Sequence, residues 1–415
     1  MSYKKHFIKS ISLMGLLQSS SRVIGLIKIA IIARILTPHD FGTFGLIVLA
    51  VGISEIFSDL GIQTFLIQSK KNTDAYINSG WVLQLIRGAL LTVIIIILAQ
   101  PLSLFFKQSD LIFLIILGAL NPLIKGFENL YVIKFQKELM FHKELIYRLV
   151  IVIADFIVSI IFALLTHSVM ALIIGMLASS LVGVLYSWIF IKEKPLLDFN
   201  LNKIKQIMHF SKWTTTNGII YYLTTQLDSI IIGKFMGTAN LGLYQISQKF
   251  SLTPMQEIAD IFGKVSFPFY SKISHDLQRF KKAYLKTLLG LIFIELGVGI
   301  VLYLFSKTII LILLGSQWIG TDALFKLFVV YGFFAAIIGT NGAFFLSVGR
   351  QDILTKLSLL RIVVLIPTII FGVSYLGTQG AVYALLGSLI LIAPLSFILI
   401  ILLLKRKIAV KFSYE

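Results

Sequence analysis

The stretch IKIAIIARILTPHDFGTFGLI, residues 27–47, sets two basic residues into an apolar run that a short turn divides. A second stretch, TQLDSIIIGKFMGTANLGLYQIS, residues 225–247, repeats its pattern. In each copy a basic residue, Arg34 or Lys234, precedes two apolar residues, a turn, an Asp or Asn, an apolar residue and a glycine. A basic residue suits the negative end of one helix, and Asp or Asn suits the start of the next. Both copies therefore predict a helix, a turn and a second helix.

The composition indicates a polytopic all-α membrane protein. Hydrophobic residues make up 57% of the 415 positions and charged residues 13%, and the mean hydropathy is +0.93. Soluble domains carry about a quarter charged residues. The chain has no cysteine, which excludes disulfides and cysteine-bound zinc, and its six histidines form no metal-binding motif. We therefore expect no metal site.

Hydropathy and turn signals predict about twelve membrane-spanning helices. A polar cytoplasmic linker, residues 193–208, is expected to join two six-helix bundles, residues 1–192 and 209–415. Because six crossings return a chain to the same side, the bundles should be related by a pseudo-twofold axis along the membrane normal. Most lysines and arginines of the predicted loops fall on one side, so both termini are predicted to be cytoplasmic.

Charged residues also fall inside the predicted helices, where a charge at the centre of the bilayer costs about 3 kcal/mol. A water-filled cavity between the bundles would accommodate them. Two polar stripes at helical spacing favour such a cavity. They consist of Asn217, Tyr221, Thr224 and Asp228, and of Gln245, Lys249, Thr253, Gln256 and Asp260. Two further pairs are interpreted as structural ion pairs, namely Lys125 with Glu128 and Arg148 with Asp155.

Five segments occur in the order ARILTPHDFGTFGLI (33–47), SDLGIQTFLIQ (58–68), QLDSIIIGKFMGTANLGLYQIS (226–247), FPFYSKISHDLQRFKKAY (267–284) and LLGSQW (313–318). In this order they resemble the polysaccharide-export flippases, the O-antigen and colanic-acid-type (Wzx-type) exporters of the multidrug/oligosaccharidyl-lipid/polysaccharide superfamily. The resemblance implies that an undecaprenyl-pyrophosphate-linked oligosaccharide is flipped across the cell inner membrane by alternating access. Such units supply O-antigen, capsule or exopolysaccharide synthesis, and the pathway's polymerase and chain-length proteins are the implied partners.

Given this resemblance, basic side chains are expected to hold the pyrophosphate, while polar and aromatic side chains face the sugars. The expected substrate-binding residues are Arg22, Lys28, Arg87, Asn217, Tyr221, Gln245, Lys249 and Gln256. No cofactor is expected, but H⁺ or Na⁺ is a candidate coupling ion, carried by Asp228, Asp59 or Glu55. Serines lack a histidine and an aspartate at readable spacing, so we expect no enzymatic activity. The net charge of +18 comes from basic residues in short loops between apolar segments, as in membrane proteins, so we expect no nucleic-acid partner.

The same architecture leaves one alternative function open, a MATE-type antiporter of cations or drugs. Its substrates are usually cationic, so its cavity should be net acidic. The nearly equal numbers of basic and acidic residues in the predicted helices favour the flippase only slightly.

Overall fold

The structure, a computed structural model, describes residues 20–58, 62–68, 74–273 and 276–405. These residues are mostly helical and contain no β-strand, which confirms the predicted all-α membrane class. Six of their helices are long and apolar enough to span a membrane, and a pair of shorter helices bent by 72° raises the number to seven. The count of twelve crossings stays a prediction.

The chain divides into two compact units, Met1–Gly242 and Leu243–Glu415. The predicted linker at residues 193–208 lies within the first unit, which also takes in the beginning of the following helix. The predicted division into halves of six crossings stays a prediction. The helices of the first unit are α1 (described over residues 20–33), α2 (Pro38–Ser58), α3 (Ile62–Gln68), α4 (Asp74–Phe106), α5 (Leu111–Gly118), α6 (Leu120–Gly126), α7 (Lys134–Lys137), α8 (Phe141–Thr166), α9 (Met170–Phe190) and the first part of α10 (Leu201–Ile273), with a 3₁₀ turn at Leu130–Ile133.

The second unit contains the rest of α10 and four further helices. These are α11 (Leu277–Leu304), α12 (Ser306–Leu313), α13 (Asp322–Ser347) and α14 (Gln351–Lys405), with a 3₁₀ turn at Ser316–Thr321. Aromatic side chains fill one part of its core, where the rings of Tyr270, Phe280, Tyr284 and Phe344 contact one another edge to face or tilted.

The two longest helices are each broken at a glycine. In α10 the break is at Gly237, with φ of 79°, and in α14 it is at Gly377, with φ of 59°. Glycine has no Cβ and adopts this left-handed region without the steric cost that other residues meet. The break at Gly237 is the turn that the second copy of the repeated pattern predicts.

The two copies of the repeated pattern pack against each other within the first unit. A Cβ atom added to Gly42 of α2 would lie 1.7 Å from the carbonyl oxygen of Thr238. A Cβ atom added to Gly242 would lie 1.9 Å from the carbonyl oxygen of Pro38. The contact is reciprocal, because equivalent positions of the two copies face each other. Only glycine allows the two backbones to approach this closely.

The segment that follows α9 is fixed to α4. Asp198 accepts hydrogen bonds from the Ser79 hydroxyl at 2.7 Å and from Lys203 Nζ at 2.9 Å, and the amide of Leu196 donates to Asn78 Oδ1 at 3.0 Å. The hydrogen bonds from Lys203 and Ser79 lower the pKa of Asp198 from its usual value. The polar linker is therefore part of the folded first unit.

Candidate functional site

A polar cavity of about 390 Å³ lies inside the first unit. Residues of α1, α3, α4, α6, the following 3₁₀ turn, α7 and α8 line it. The bend after Gly126 opens this space, because the chain turns by 72° instead of continuing as one straight helix. Its polar and charged lining residues are Ser21, Gln63, Gln84, Lys125, Glu128, Asn129, Gln136, Glu144, Tyr147 and Arg148.

The acidic groups of this cavity are held by neighbouring side chains. Glu144 is buried, and its Oε1 accepts hydrogen bonds from Gln136 Nε2 at 2.7 Å and from Arg148 Nε at 2.9 Å. The hydroxyl group of Tyr147 donates a hydrogen bond to Glu128 Oε1. The two carboxyl groups are thereby oriented before any ligand arrives.

Gln84 of α4 fixes the polar wall at the bend. Its Nε2 lies 3.1 Å from the carbonyl oxygen of Lys125, 3.2 Å from that of Gly126 and 3.1 Å from that of Glu128. The buried amide of Gln84 therefore bonds to the backbone between the end of α6 and the following 3₁₀ turn, where the carbonyl oxygen of Lys125 also accepts a hydrogen bond from the amide of Glu128 at 3.2 Å. Sequence reasoning missed Gln84, although a glutamine inside an apolar helix is a signal that could have identified it.

The predicted substrate-binding residues of the first unit have different surroundings. Lys28 pairs with Asp155 at 2.6 Å between Nζ and Oδ2, and Ser159 donates to the other carboxylate oxygen of Asp155 at 3.1 Å. Arg22 of α1 follows Ser21, which lines the cavity, and Arg87 lies one turn from Gln84; both arginines are half-buried. Their role in binding substrate stays a prediction.

One predicted ion pair is wrong. Arg148 pairs with Glu144 at 2.9 Å, and Asp155 pairs with Lys28. Residues four apart on a helix are neighbours, whereas Arg148 and Asp155 are separated by two turns, about 10 Å along the axis. The other predicted pair, Lys125 with Glu128, stays a prediction. Both residues line the cavity, where Glu128 accepts a hydrogen bond from Tyr147.

The candidate ion carriers are only partly described. Asp228 is buried, and its Oδ1 accepts a hydrogen bond from the amide of Ser229 at 2.7 Å. Asp59 lies outside the described residues. Glu55, Asn217 and Tyr221 stand on helices, but their side chains lie outside the part that the structure describes.

The predicted stripe on the later part of α10 belongs to the second unit. Lys249 and Gln256 are exposed and Gln245 is half-buried. The Thr253 hydroxyl donates to the carbonyl oxygen of Lys249 at 2.6 Å. Among the residues that the structure describes, no three histidine, cysteine, aspartate or glutamate side chains come together in a way that could hold a metal ion.

Comparison with known proteins connects this architecture with saccharide export. A sequence model of the family described as polysaccharide biosynthesis protein matches residues 31–323. The lipopolysaccharide biosynthesis protein WzxC of Escherichia coli (strain K12) is 24% identical, over 84% of this chain and 71% of WzxC. The teichuronic acid biosynthesis protein TuaB of Bacillus subtilis (strain 168) is also 24% identical, over 80% of this chain and 69% of TuaB.

Two solved structures share the fold at 16% sequence identity. The lipid II flippase MurJ in an inward closed conformation gives a TM-score of 0.74, over 94% of this chain and 87% of that chain. An inward-facing multidrug resistance MATE family transporter of the MOP superfamily gives 0.71, over 98% of this chain and 100% of that chain. These similarities identify the fold of a multi-helix membrane transporter.

Proposed function

The chain belongs to the polysaccharide biosynthesis protein family, and from this premise we propose that it is a flippase for lipid-linked oligosaccharides. The substrate is an oligosaccharide repeat unit joined through pyrophosphate to undecaprenol, moved from the cytoplasmic to the outer leaflet of the inner membrane. The observation that carries the proposal is the match of the family to residues 31–323, which extends from α1 into α13.

The polar cavity of the first unit suits part of a saccharide headgroup. A volume of about 390 Å³ lies within the range of sites for small molecules. Lys125 and Arg148, which is half-exposed beside its partner Glu144, supply basic groups, and the amide oxygen of Gln136 can accept a hydrogen bond from a sugar hydroxyl. In this proposal both ends of the chain lie in the cytoplasm, and the lipid tail stays in the bilayer while the headgroup crosses.

Translocation of this substrate needs no covalent step. The substrate changes sides when the protein alternates between an arrangement open to the cytoplasm and one open to the outer face of the membrane. An inside-negative potential favours outward movement of an anionic headgroup by about 2.3 kcal/mol per charge for each 100 mV. Movement of H⁺ or Na⁺ in the opposite direction is an additional energy source. The polymerase and chain-length proteins of the same pathway would take up the flipped unit.

The proposal is tested in cells that lack the gene. We expect lipid-linked repeat units to accumulate on the cytoplasmic face, and surface glycan to return when the wild-type gene is supplied. The double variant K125Q/R148Q should restore less surface glycan than wild type at equal protein level in the membrane. The Gly263→Ala variant, whose added methyl group meets open space, is the matched control.

Two outcomes would contradict the flippase. One is an unchanged distribution of lipid-linked saccharide in the deletion strain. The other is sensitivity to cationic drugs without any glycan defect, which would favour the antiporter function that the shared fold also permits.

A further inference from the structure

Glu295 of α11 carries a carboxyl group that the rest of the described structure leaves without a hydrogen-bond partner. Its side chain is fully buried, and neither oxygen bonds to another described residue. It lines an apolar groove of about 250 Å³ formed with Leu296, Gly299, Val329 and Phe333. An ionised carboxylate is very costly in such surroundings, and adding a proton removes the charge.

Glu295 belongs to the packed face of its helix. Leu291, Glu295 and Gly299 recur at intervals of four residues and are all buried. A Cβ atom added to Gly299 would contact Met255 of α10 and Val329 of α13 at 3.7 Å each. The carboxyl group therefore lies on the side of α11 where helices of the second unit pack.

The charged groups of α12 and α13 either pair with each other or are exposed. Lys326 Nζ pairs with Asp322 at 2.9 Å and lies 5.6 Å from the ring centre of Tyr303. Lys307 of α12 is exposed. Among the residues that the structure describes, Tyr303 is the one other titratable residue that lines the groove. No described cation of these two helices pairs with Glu295.

The described charged groups of α10, of α14 and of α11 itself also form no ion pair with Glu295. On α10 the side facing α11 is that of Met255, and Glu257 and Asp260 are rotated from it by about 140–160° around the helix. On α14, Arg361 donates to the Tyr331 hydroxyl at 2.9 Å and to that of Ser388 at 3.3 Å. On α11 itself, Lys286 lies nine residues, about 13 Å, before Glu295.

We propose that Glu295 is a proton-binding site of the second unit and that its protonation couples H⁺ movement to transport. In the described arrangement the carboxyl group holds its proton. Release needs a second arrangement that brings water or a cation to the carboxylate, so proton exchange is confined to part of the transport cycle. The coupling rests on the proposed function, whereas proton binding by Glu295 does not.

Proton binding is tested by reaction with dicyclohexylcarbodiimide, an apolar reagent for protonated carboxyl groups in membranes. The carboxyl proton moves to one carbodiimide nitrogen while the carboxyl oxygen bonds to the central carbon. The acyl group then migrates from oxygen to nitrogen, so the product keeps every atom of both reactants and no electron is transferred. Purified protein in liposomes at neutral pH is digested after reaction, and the modified peptides are measured by mass spectrometry.

We expect Glu295 to be modified at least tenfold faster than Asp260, which is partly exposed on α10. The E295Q variant should lose this adduct and keep the thermal midpoint of wild type, since the amide matches a neutral carboxyl group in shape. Equal modification of Glu295 and Asp260, or modification of Glu295 only after unfolding, would overturn the proton-binding site.

Coupling is tested by flipping of a lipid-linked oligosaccharide in liposomes with and without a pH gradient. The rate at which wild-type protein flips the oligosaccharide should change with the pH gradient, whereas the rate of E295Q should be the same with and without it. E295D, which retains a carboxyl group, should recover part of the response. An equal gradient response in wild type and E295Q would overturn the coupling. If wild type flips no substrate at all, the proposed function fails, and the carbodiimide result still decides whether Glu295 binds a proton.

Discussion

Replacing Gly42 or Gly242 with alanine is expected to separate the two copies of the repeated pattern. A Cβ atom essentially never lies within 3.0 Å of a heavy atom of a distant residue. The atom added at Gly42 would lie 1.7 Å from the carbonyl oxygen of Thr238. The backbones would therefore have to part by about 1.3 Å, which is the difference of these two distances. Both neighbours are backbone atoms and cannot move aside as a flexible side chain can.

The expected cost follows from overpacking a tight contact. Inserting one carbon into a well-packed site costs about 1–3 kcal/mol. For a unit of this size, about 2 kcal/mol corresponds to a decrease of the thermal midpoint by roughly 4–8 °C. Because the first substitution already parts the backbones, the double variant G42A/G242A should lose less stability than the sum of the single variants.

The measurement is thermal unfolding of the purified variants in one detergent, followed by tryptophan fluorescence. G263A is the matched control on α10, because its added methyl group meets no atom within 4 Å and alanine favours a helix by about 0.5–1 kcal/mol over glycine. If G42A and G242A unfold at the midpoint of G263A, the close reciprocal contact does not exist in the protein.

Three further perturbations test other contacts. K28M and D155N should each lower the free energy of unfolding by about 1–3 kcal/mol, since each leaves a half-buried charge unpaired. The double variant should lose less than the sum of the two single variants; strictly additive losses would exclude the ion pair. G380A should lower the thermal midpoint, because the new Cβ would lie 1.9 Å from a carbonyl oxygen, whereas G387A meets open space; equal midpoints would contradict this packing. The lowered pKa of Asp198 means that its hydrogen bonds hold the linker above the ordinary carboxyl range and are lost as the pH falls through the lowered pKa. Protection of the amides of residues 193–200, measured as exchange relative to the intrinsic rate at each pH, should therefore fall in acid, and in D198N it should already be low at neutral pH; unaltered protection in D198N would argue against this role.

Much of the fold follows from composition and local pattern. A chain so rich in apolar residues can satisfy its backbone only in helices within the membrane, and the turn predicted in residues 225–247 is the break at Gly237. The direct contact between the two copies was not predicted. Periodicity describes which face of a helix is apolar, but it does not say which distant helix packs there.

For the same reason, local patterns did not predict which residues meet in the candidate site. The polar stripes were visible in the sequence, yet the partner of Lys28 is Asp155, which lies 127 residues away. The sequence suggested that Asp155 pairs with Arg148 on the same helix. In the structure it pairs with Lys28 of another helix instead. The cavity depends on the bend after Gly126. Pro122, Lys125 and Glu128 lie beside this bend in the sequence, but local pattern does not give the angle between the two short helices.

Glu295 is a residue whose special surroundings only the structure reveals. In the sequence it is the one acidic residue of α11, but only the packing of α11 and α13 reveals that its oxygens meet no partner among the described residues.

The most direct test of the central claim is flipping by the purified protein in liposomes that contain a lipid-linked oligosaccharide. A lectin outside the vesicles reports how much saccharide has reached the outer leaflet. The flippase account predicts that wild-type protein transfers saccharide much faster than empty vesicles do, and that K125Q/R148Q is slower than G263A. Transfer by folded wild-type protein at the rate of empty vesicles would contradict it.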